Sequence, residues 1–162
     1  MLIQHKLTPF IWLQSGADAA VEHYLKVFRG NGKVTHTQRW GEGAPAPAGS
    51  VMAVSFELAG QPLVAFNGGP HLKLTEAFSL VVACEDQAEI DHLWEQLPAG
   101  GGAHSQCGWL KDAWGLAWQV VPKAFFEMIR DPDSTRTQRA LQAVWSMQKL
   151  DLAAIQRAYD GN

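Results

Sequence analysis

Six histidines and two cysteines are the side chains of this chain of 162 residues best suited to hold a metal or attack a substrate, and their spacing suits neither task. His23 and His92 fall inside stretches with helical periodicity, His5 precedes the first strand-like run, and His36, His71 and His104 are scattered, so no pair has ligand spacing. Cys84 and Cys107 show neither metal-type nor redox-type spacing and read as two free thiols in a reduced compartment. The acids Glu57, Glu76 and Asp112 read as solvated or turn-capping groups. No local motif suggests a Ser-His-Asp or Cys-His arrangement. What remains is amide, hydroxyl and aromatic chemistry, including seven tryptophans, most of which read as core. Such groups suit binding of a flat or apolar small molecule better than proton transfer.

Side chains of this kind recognise a ligand only if a sheet holds them on one face, and the sequence supplies that frame twice. The first unit spans about residues 7–67. It opens with an alternating run over Leu7–Leu13 and continues with a helical stretch from Ala17 to Phe28, with Ala20, Val21, Tyr24, Leu25 and Phe28 on one face. Strand-like runs follow over Lys33–Trp40, Ser50–Leu58 and Gln61–Asn67, with Ala59-Gly60 as a tight hairpin between the last two. The second unit spans about residues 76–121: a strand over Phe78–Cys84, a helix from Gln87 to Leu97 that stops at Pro98, a short third element near Ala103–Ser105, a run over Cys107–Lys111, a turn at Asp112–Gly115 and a last strand over Leu116–Val121. The order strand, helix, three strands is therefore repeated, an α+β architecture of two βαβββ modules. Two such copies are expected to pack side by side and leave a cleft between them. The loop over residues 41–49 suits a plain connector, or a lid over that cleft.

Beyond Pro122 the pattern turns helical. Helices are expected over Ala124–Arg130, Thr135–Leu150 and a last stretch bearing Leu152, Ile155 and Tyr159, capped by Asp151. The division expected is thus a domain over residues 1–122 with a helical extension over 123–162. An amphipathic tail must dock, on its own domain or on a second subunit, and the pattern alone does not name which. The net charge of −3 and pI near 6.0 argue against nucleic acid as a partner. No run of about 18 apolar residues marks a membrane span. The first residues, Met1 to Lys6, lack the design of an export signal, and a cytoplasmic location is expected.

Four stretches carry a resemblance: Leu7-Thr8-Pro9-Phe10-Ile11-Trp12-Leu13, Asn67-Gly68-Gly69-Pro70, Cys107-Gly108-Trp109-Leu110-Lys111-Asp112 and Gly115-Leu116-Ala117-Trp118-Gln119-Val120-Val121-Pro122. Together they resemble the PhnB-like family of the vicinal-oxygen-chelate superfamily, over nearly the whole chain with the tail included. Some of its members carry the label 3-demethylubiquinone-9 3-methyltransferase. The resemblance implies paired βαβββ modules, usually in a homodimer. In metal-using members of the superfamily a His or Glu on the first and last strand of each module binds a divalent ion, and those places fall here near Thr8, Ala65, Ser79 and Gln119, with Asn67 on the same face two residues on. Neutral hydroxyl, amide and methyl groups are poor ligands for such an ion, so neither metal nor other cofactor is expected. Side chains alternate along a strand. Thr8, Phe10 and Trp12, then Leu63, Ala65 and Asn67, then Ser79 with Val81, and Ala117 with Gln119 are expected to line the cleft, and the opposite set, including Val64 and Phe66, to pack under the helices.

The ligand-binding set expected is therefore Thr8, Phe10, Trp12, Asn67, Ser79, Trp109 and Gln119, around a small organic molecule. The competing expectation is a metal-dependent lyase, isomerase or dioxygenase, and a third is an interaction module joined through its tail. A methyltransferase is not expected, because Gly100-Gly101-Gly102 follows a helix and Gly68-Gly69 leads toward a strand, neither being the Gly-rich strand-to-helix turn such enzymes use.

Overall fold

In a computed structural model that describes residues 5–162, the chain divides into two compact units, Met1–Leu74 and Thr75–Asn162. The first contains β1 (Phe10–Leu13), α1 (Ala17–Val27), β2 (Gly32–Arg39), β3 (Val51–Leu58) and β4 (Gln61–Asn67). Its sheet has the order β1-β4-β3-β2, with β1 parallel to β4 and the other neighbours antiparallel. The second contains β5 (Ser79–Cys84), α2 (Gln87–Gln96), β6 (Ala103–His104), β7 (Trp109–Lys111) and β8 (Ala117–Pro122), and its sheet repeats the order as β5-β8-β7-β6. Three helices close this unit: α3 (Lys123–Met128), α4 (Ser134–Trp145) and α5 (Leu152–Asp160). Among the described residues no helix is long and apolar enough to cross a membrane.

Local chemistry explains the elements. Helix α1 buries Ala17, Ala20, Val21, Tyr24 and Val27, and Tyr24 stacks on Phe56 of β3 with ring centroids 6.3 Å apart. The β3–β4 hairpin turns on Ala59 and Gly60 with φ of 48° and 80°, the paired left-handed conformation of a two-residue hairpin. The first strand is shorter than the alternation predicts. It starts at Phe10 because Pro9 has no N–H to give the ladder, although its carbonyl still accepts from Val64 N at 3.1 Å. The third element of the second unit, faint in sequence, is a strand of 2 residues where β2 has 8.

The tail docks on its own chain. Val121, Phe125, Met128, Ala140, Val144, Leu150 and Ile155 form one buried cluster, with Cys107 packed against it. Helix α4 ends at Trp145 rather than at Leu150. The next residues turn their carbonyls outward, and Met147 O and Gln148 O accept from the N–H groups of Cys107 and Gly108, each at 2.7 Å. Gln87 of α2 donates to Leu150 O at 3.1 Å and accepts from Leu152 N at 2.9 Å. Lys149 reaches Asp91 at 2.6 Å. Tyr159 donates to Asp131, and Arg136 lies 4.0 Å over the Tyr159 ring while pairing with Asp131 and Asp160. These contacts hold α5 against the α3–α4 connection.

Candidate functional site

Residues paired in register lie on the same side of a sheet, so the ladders assign every strand residue to a helix-covered or an open face. In the first unit Ile11 pairs with Ala65, Val54 with Ala65 and Phe56 with Leu63, all buried, and Phe56 meets α1. The helix-covered face of β4 is therefore Leu63, Ala65 and Asn67, and the open face, open in the sense that no helix of this unit covers it, is Val64, itself buried, and Phe66. This reverses the expectation for that strand. Asn67 is the reason the reversal is easily missed: its polar side chain faces inward because α1 has no capping side chain of its own. Gly16 occupies the N-cap, and the Asn67 Oδ1 accepts from Ala17 N at 2.8 Å while its Nδ2 donates to Val51 O at 2.9 Å. Asn67 is thus committed to the scaffold, and Ala65 is fully buried.

The open face of the first unit is aromatic. Phe66 meets Phe10, Trp12 and Trp40 with centroid separations of 5.4, 5.1 and 6.3 Å. Trp12 is anchored: its Nε1 donates to Gly69 O at 3.0 Å, and a Cβ on Gly68 would lie 2.0 Å from the indole, so glycine is required there. Thr8 precedes β1 rather than belonging to it. Its Oγ1 and the Oγ of the buried Ser55 have no hydrogen-bond partner among the described residues.

The second unit holds the polar positions. Ser79 pairs with Ala117, Val81 with Gln119, and Gln119 with Trp109, which gathers Ser79, Val81, Trp109, Ala117 and Gln119 on the open face as the sequence predicts. Gln119 Nε2 donates to Ser79 Oγ at 2.8 Å. Leu80, Val82, Trp118 and Val120 take the other side, and Trp118 is 1% exposed. Beneath this hairpin Asp112, 3% exposed, accepts from Trp114 N at 2.9 Å, Leu116 N at 3.0 Å and Trp118 Nε1 at 2.9 Å. It caps the β7–β8 turn, one of the two roles expected of it, and does so buried rather than solvated.

Beside β7 lies a cavity of about 590 Å³ whose wall includes Glu76, His104, Gln106, Cys107, Trp109 and Lys111. That volume is ordinary for a small-molecule site. It shares Trp109 with the open face, whereas Ser79 and Gln119 do not line it. Lys111 follows Trp109 by two residues, so both point to the same side, and its ammonium is ion-paired with Glu76. That pairing holds the Glu76 carboxyl below its ordinary range. His104 is occupied, stacked on Trp94 at 4.4 Å with Nε2 2.8 Å from Trp94 O. The cavity wall rests on the tail: Cys107 and Gly108 have φ of 59° and 79°, and their N–H groups are those bound by Met147 and Gln148. Sequence reasoning passed over Lys111 and Gln106; the alternation of Trp109 with Lys111 was the available signal.

The positions where metal-using relatives carry ligands do not fit a divalent ion. Matching the two sheets by register makes Phe10 and Phe66 the counterparts of Ser79 and Gln119, and none of the four is anionic or an imidazole. Among the described residues no group of three or more His, Cys, Asp or Glu is placed to hold a metal. The two thiols differ: burial pushes Cys84 up to about 12, a side chain inert to alkylation, while half-buried Cys107 reaches the cavity.

Residues 5–121 match the family model described as 3-demethylubiquinone-9 3-methyltransferase. The match stops short of the helical tail, which the resemblance in sequence had included. Among solved structures the chain is similar to the PhnB protein from Bacillus cereus, with 28% identity, a TM-score of 0.65, and coverage of 73% of this chain and 99% of that one. A protein from Pseudomonas aeruginosa shares 18% identity at a TM-score of 0.60, covering 74% of this chain and 98% of that one. A glyoxalase/bleomycin resistance protein from Albidiferax ferrireducens T118 matches with 11% identity and a TM-score of 0.46 over 70% of this chain and 95% of that one. No curated protein matches the chain.

Proposed function

Because the chain belongs to the PhnB-like family described as 3-demethylubiquinone-9 3-methyltransferase, whose fold is that of the vicinal-oxygen-chelate superfamily, we propose that it binds a small organic molecule on the open sheet face of its second module without a tightly held metal ion. The observation that carries this reading is the convergence of Ser79, Gln119 and Trp109 on one open face beside a cavity of ligand size. Ser79 and Gln119 satisfy each other when no ligand is present and together still offer a hydroxyl lone pair, an amide oxygen and an amide N–H. Phe10 and Trp12 belong to the aromatic face of the first module, where Trp12 fixes the Gly68-Gly69 loop.

The methyltransferase in the family description has no support in the residues. Each sheet is mixed and four-stranded, and the strand-to-helix turns Gln14-Ser15-Gly16 and Glu85-Asp86 carry no Gly-rich cofactor loop. We also propose a homodimer, for which the exposed apolar side chains Leu72, Phe78 and Val81 are the support. A native mass spectrum of freshly purified protein, compared with its denatured mass, tests the reading. A dimer carrying an additional organic mass is expected. One transition-metal ion per chain would overturn the metal-free reading and redirect the work to lyase and dioxygenase substrates.

A further inference from the structure

The cavity beside β7 carries a more specific message than its volume. One wall is the flat indole of Trp109, and the same strand places an ammonium, Lys111, two residues further along the same face. Gln106 and Ser105 add an amide and a hydroxyl to the rim. The only anion seen to occupy Lys111 among the described residues is the carboxylate of Glu76, which comes from the connection before β5 and not from the sheet. The two partners are unequal. Lys111 sits on a strand fixed by its pairing to Ala117 and Ala103, while Glu76 rides on a loop and is 58% exposed. An ion pair so exposed is weak and easily exchanged.

We propose that this cavity takes a planar organic carboxylate, whose ring lies against Trp109 and whose charge displaces Glu76 from Lys111. A single lysine is a point charge with three donors, and it suits a monoanion. A phosphate dianion would call for a bidentate arginine or a nest of free backbone N–H groups. The nearest candidates for a nest, the N–H groups of Cys107 and Gly108, are already bound to the tail. The Glu76 contact itself demonstrates that a carboxylate fits at Lys111. The inference rests on the reading that the second module's open face binds a small molecule, and names the class.

The test uses naphthalene-2-carboxylate and its neutral carboxamide as probes of the full-length protein, with the tryptophan indole N–H signals followed by NMR and Trp109 assigned from Trp109→Phe. The carboxylate is expected to shift Trp109 and to bind about tenfold more tightly than the carboxamide, with Lys111→Gln abolishing that preference. Glu76→Gln should act in the opposite direction and tighten carboxylate binding severalfold, because the competing carboxylate is gone. Both substitutions are at exposed side chains, so retained folding is expected and is read from the same spectra. Equal binding of the two probes, unmoved by either substitution, overturns the carboxylate inference while leaving small-molecule binding standing. Failure of both probes to shift Trp109 overturns the inference together with the reading beneath it.

Discussion

The two modules are copies in topology and opposites in chemistry. Where the first places Phe10, Trp12, Val64 and Phe66 on its open face, the second places Ser79, Val81, Ala117 and Gln119. The helix-covered positions differ as well: Asn67 in the first corresponds in register to Val120 in the second. Each helix start needs a cap, and the first module takes it from Asn67, 50 residues from Ala17, whereas the second uses Asp86 beside α2, whose side chain accepts from Glu89 N. The connection before each last strand also differs, a left-handed pair at Ala59-Gly60 in one and a buried carboxylate, Asp112, in the other. A repeated architecture thus leaves the polar groups free to serve the scaffold in one copy and, as proposed, recognition in the other.

The sharpest way to break this contrast is at Asp112. Asp112→Ala removes the acceptor of two buried donors and a part-buried one and should lower the stability of the second unit by about 4 kcal/mol. Denaturant unfolding followed by hydrogen exchange should show β7 and β8 opening first. Gly108→Ala follows, at about 3 kcal/mol, since its φ of 79° is left-handed and a Cβ would sit 2.7 Å from Val120 O and 3.1 Å from Leu150. The loss should release the 147–148 segment and be visible as faster amide exchange at Cys107. The caps come next: Asn67→Ala should cost about 2 kcal/mol because it loses two buried-side bonds, against about 1 kcal/mol for Asp86→Ala, measured as shifts in denaturation midpoint. Ser55→Ala carries the opposite sign. Its hydroxyl is buried without a partner among the described residues, so removing it should be neutral or stabilise by up to about 1 kcal/mol.

The smallest effect is electrostatic. Lys149 donates to Asp91 and Tyr159 donates to Asp131, and both carboxyls lie below their ordinary value of 3.8. A depressed carboxyl stabilises the fold above its unfolded value and loses that contribution as pH falls through the folded one, so attachment of the tail should weaken below about pH 3.8. The same bond raises the Tyr159 phenol above its ordinary 10.0, and its contribution is lost in alkali. Amide exchange in α5 across acid and alkaline series checks both arms.

Much of the fold was readable because hydrophobic periodicity is a local signal. The two βαβββ frames, both hairpin turns and the three tail helices all emerged with ends displaced by a few residues. The open face of the second module was readable too, since Ser79, Ala117 and Gln119 alternate with large apolar residues. The face of β4 was not. Leu63, Val64, Ala65 and Phe66 are all apolar, so alternation gives no direction, and Asn67 looks like a site residue until the missing cap of α1 is seen. A one-residue choice of register inverts the whole strand. The docking of the tail was likewise hidden, because it depends on carbonyls of residues 147–148 meeting two N–H groups in a left-handed turn about 40 positions earlier. Lys111 belongs to the same lesson: its proposed role follows from the cavity, and a cavity has no sequence signature.

Recognition is proposed to reside in the second module, with the aromatic face of the first structural. A crystallographic screen of small aromatic and aliphatic fragments tests it most directly. Bound fragments are expected against Trp109, along the Ser79 and Gln119 positions and in the cavity reaching Lys111, with Trp12 unmoved and still bonded to Gly69. Fragments gathered on Phe10, Trp12 and Phe66, with none on the second module, would contradict it.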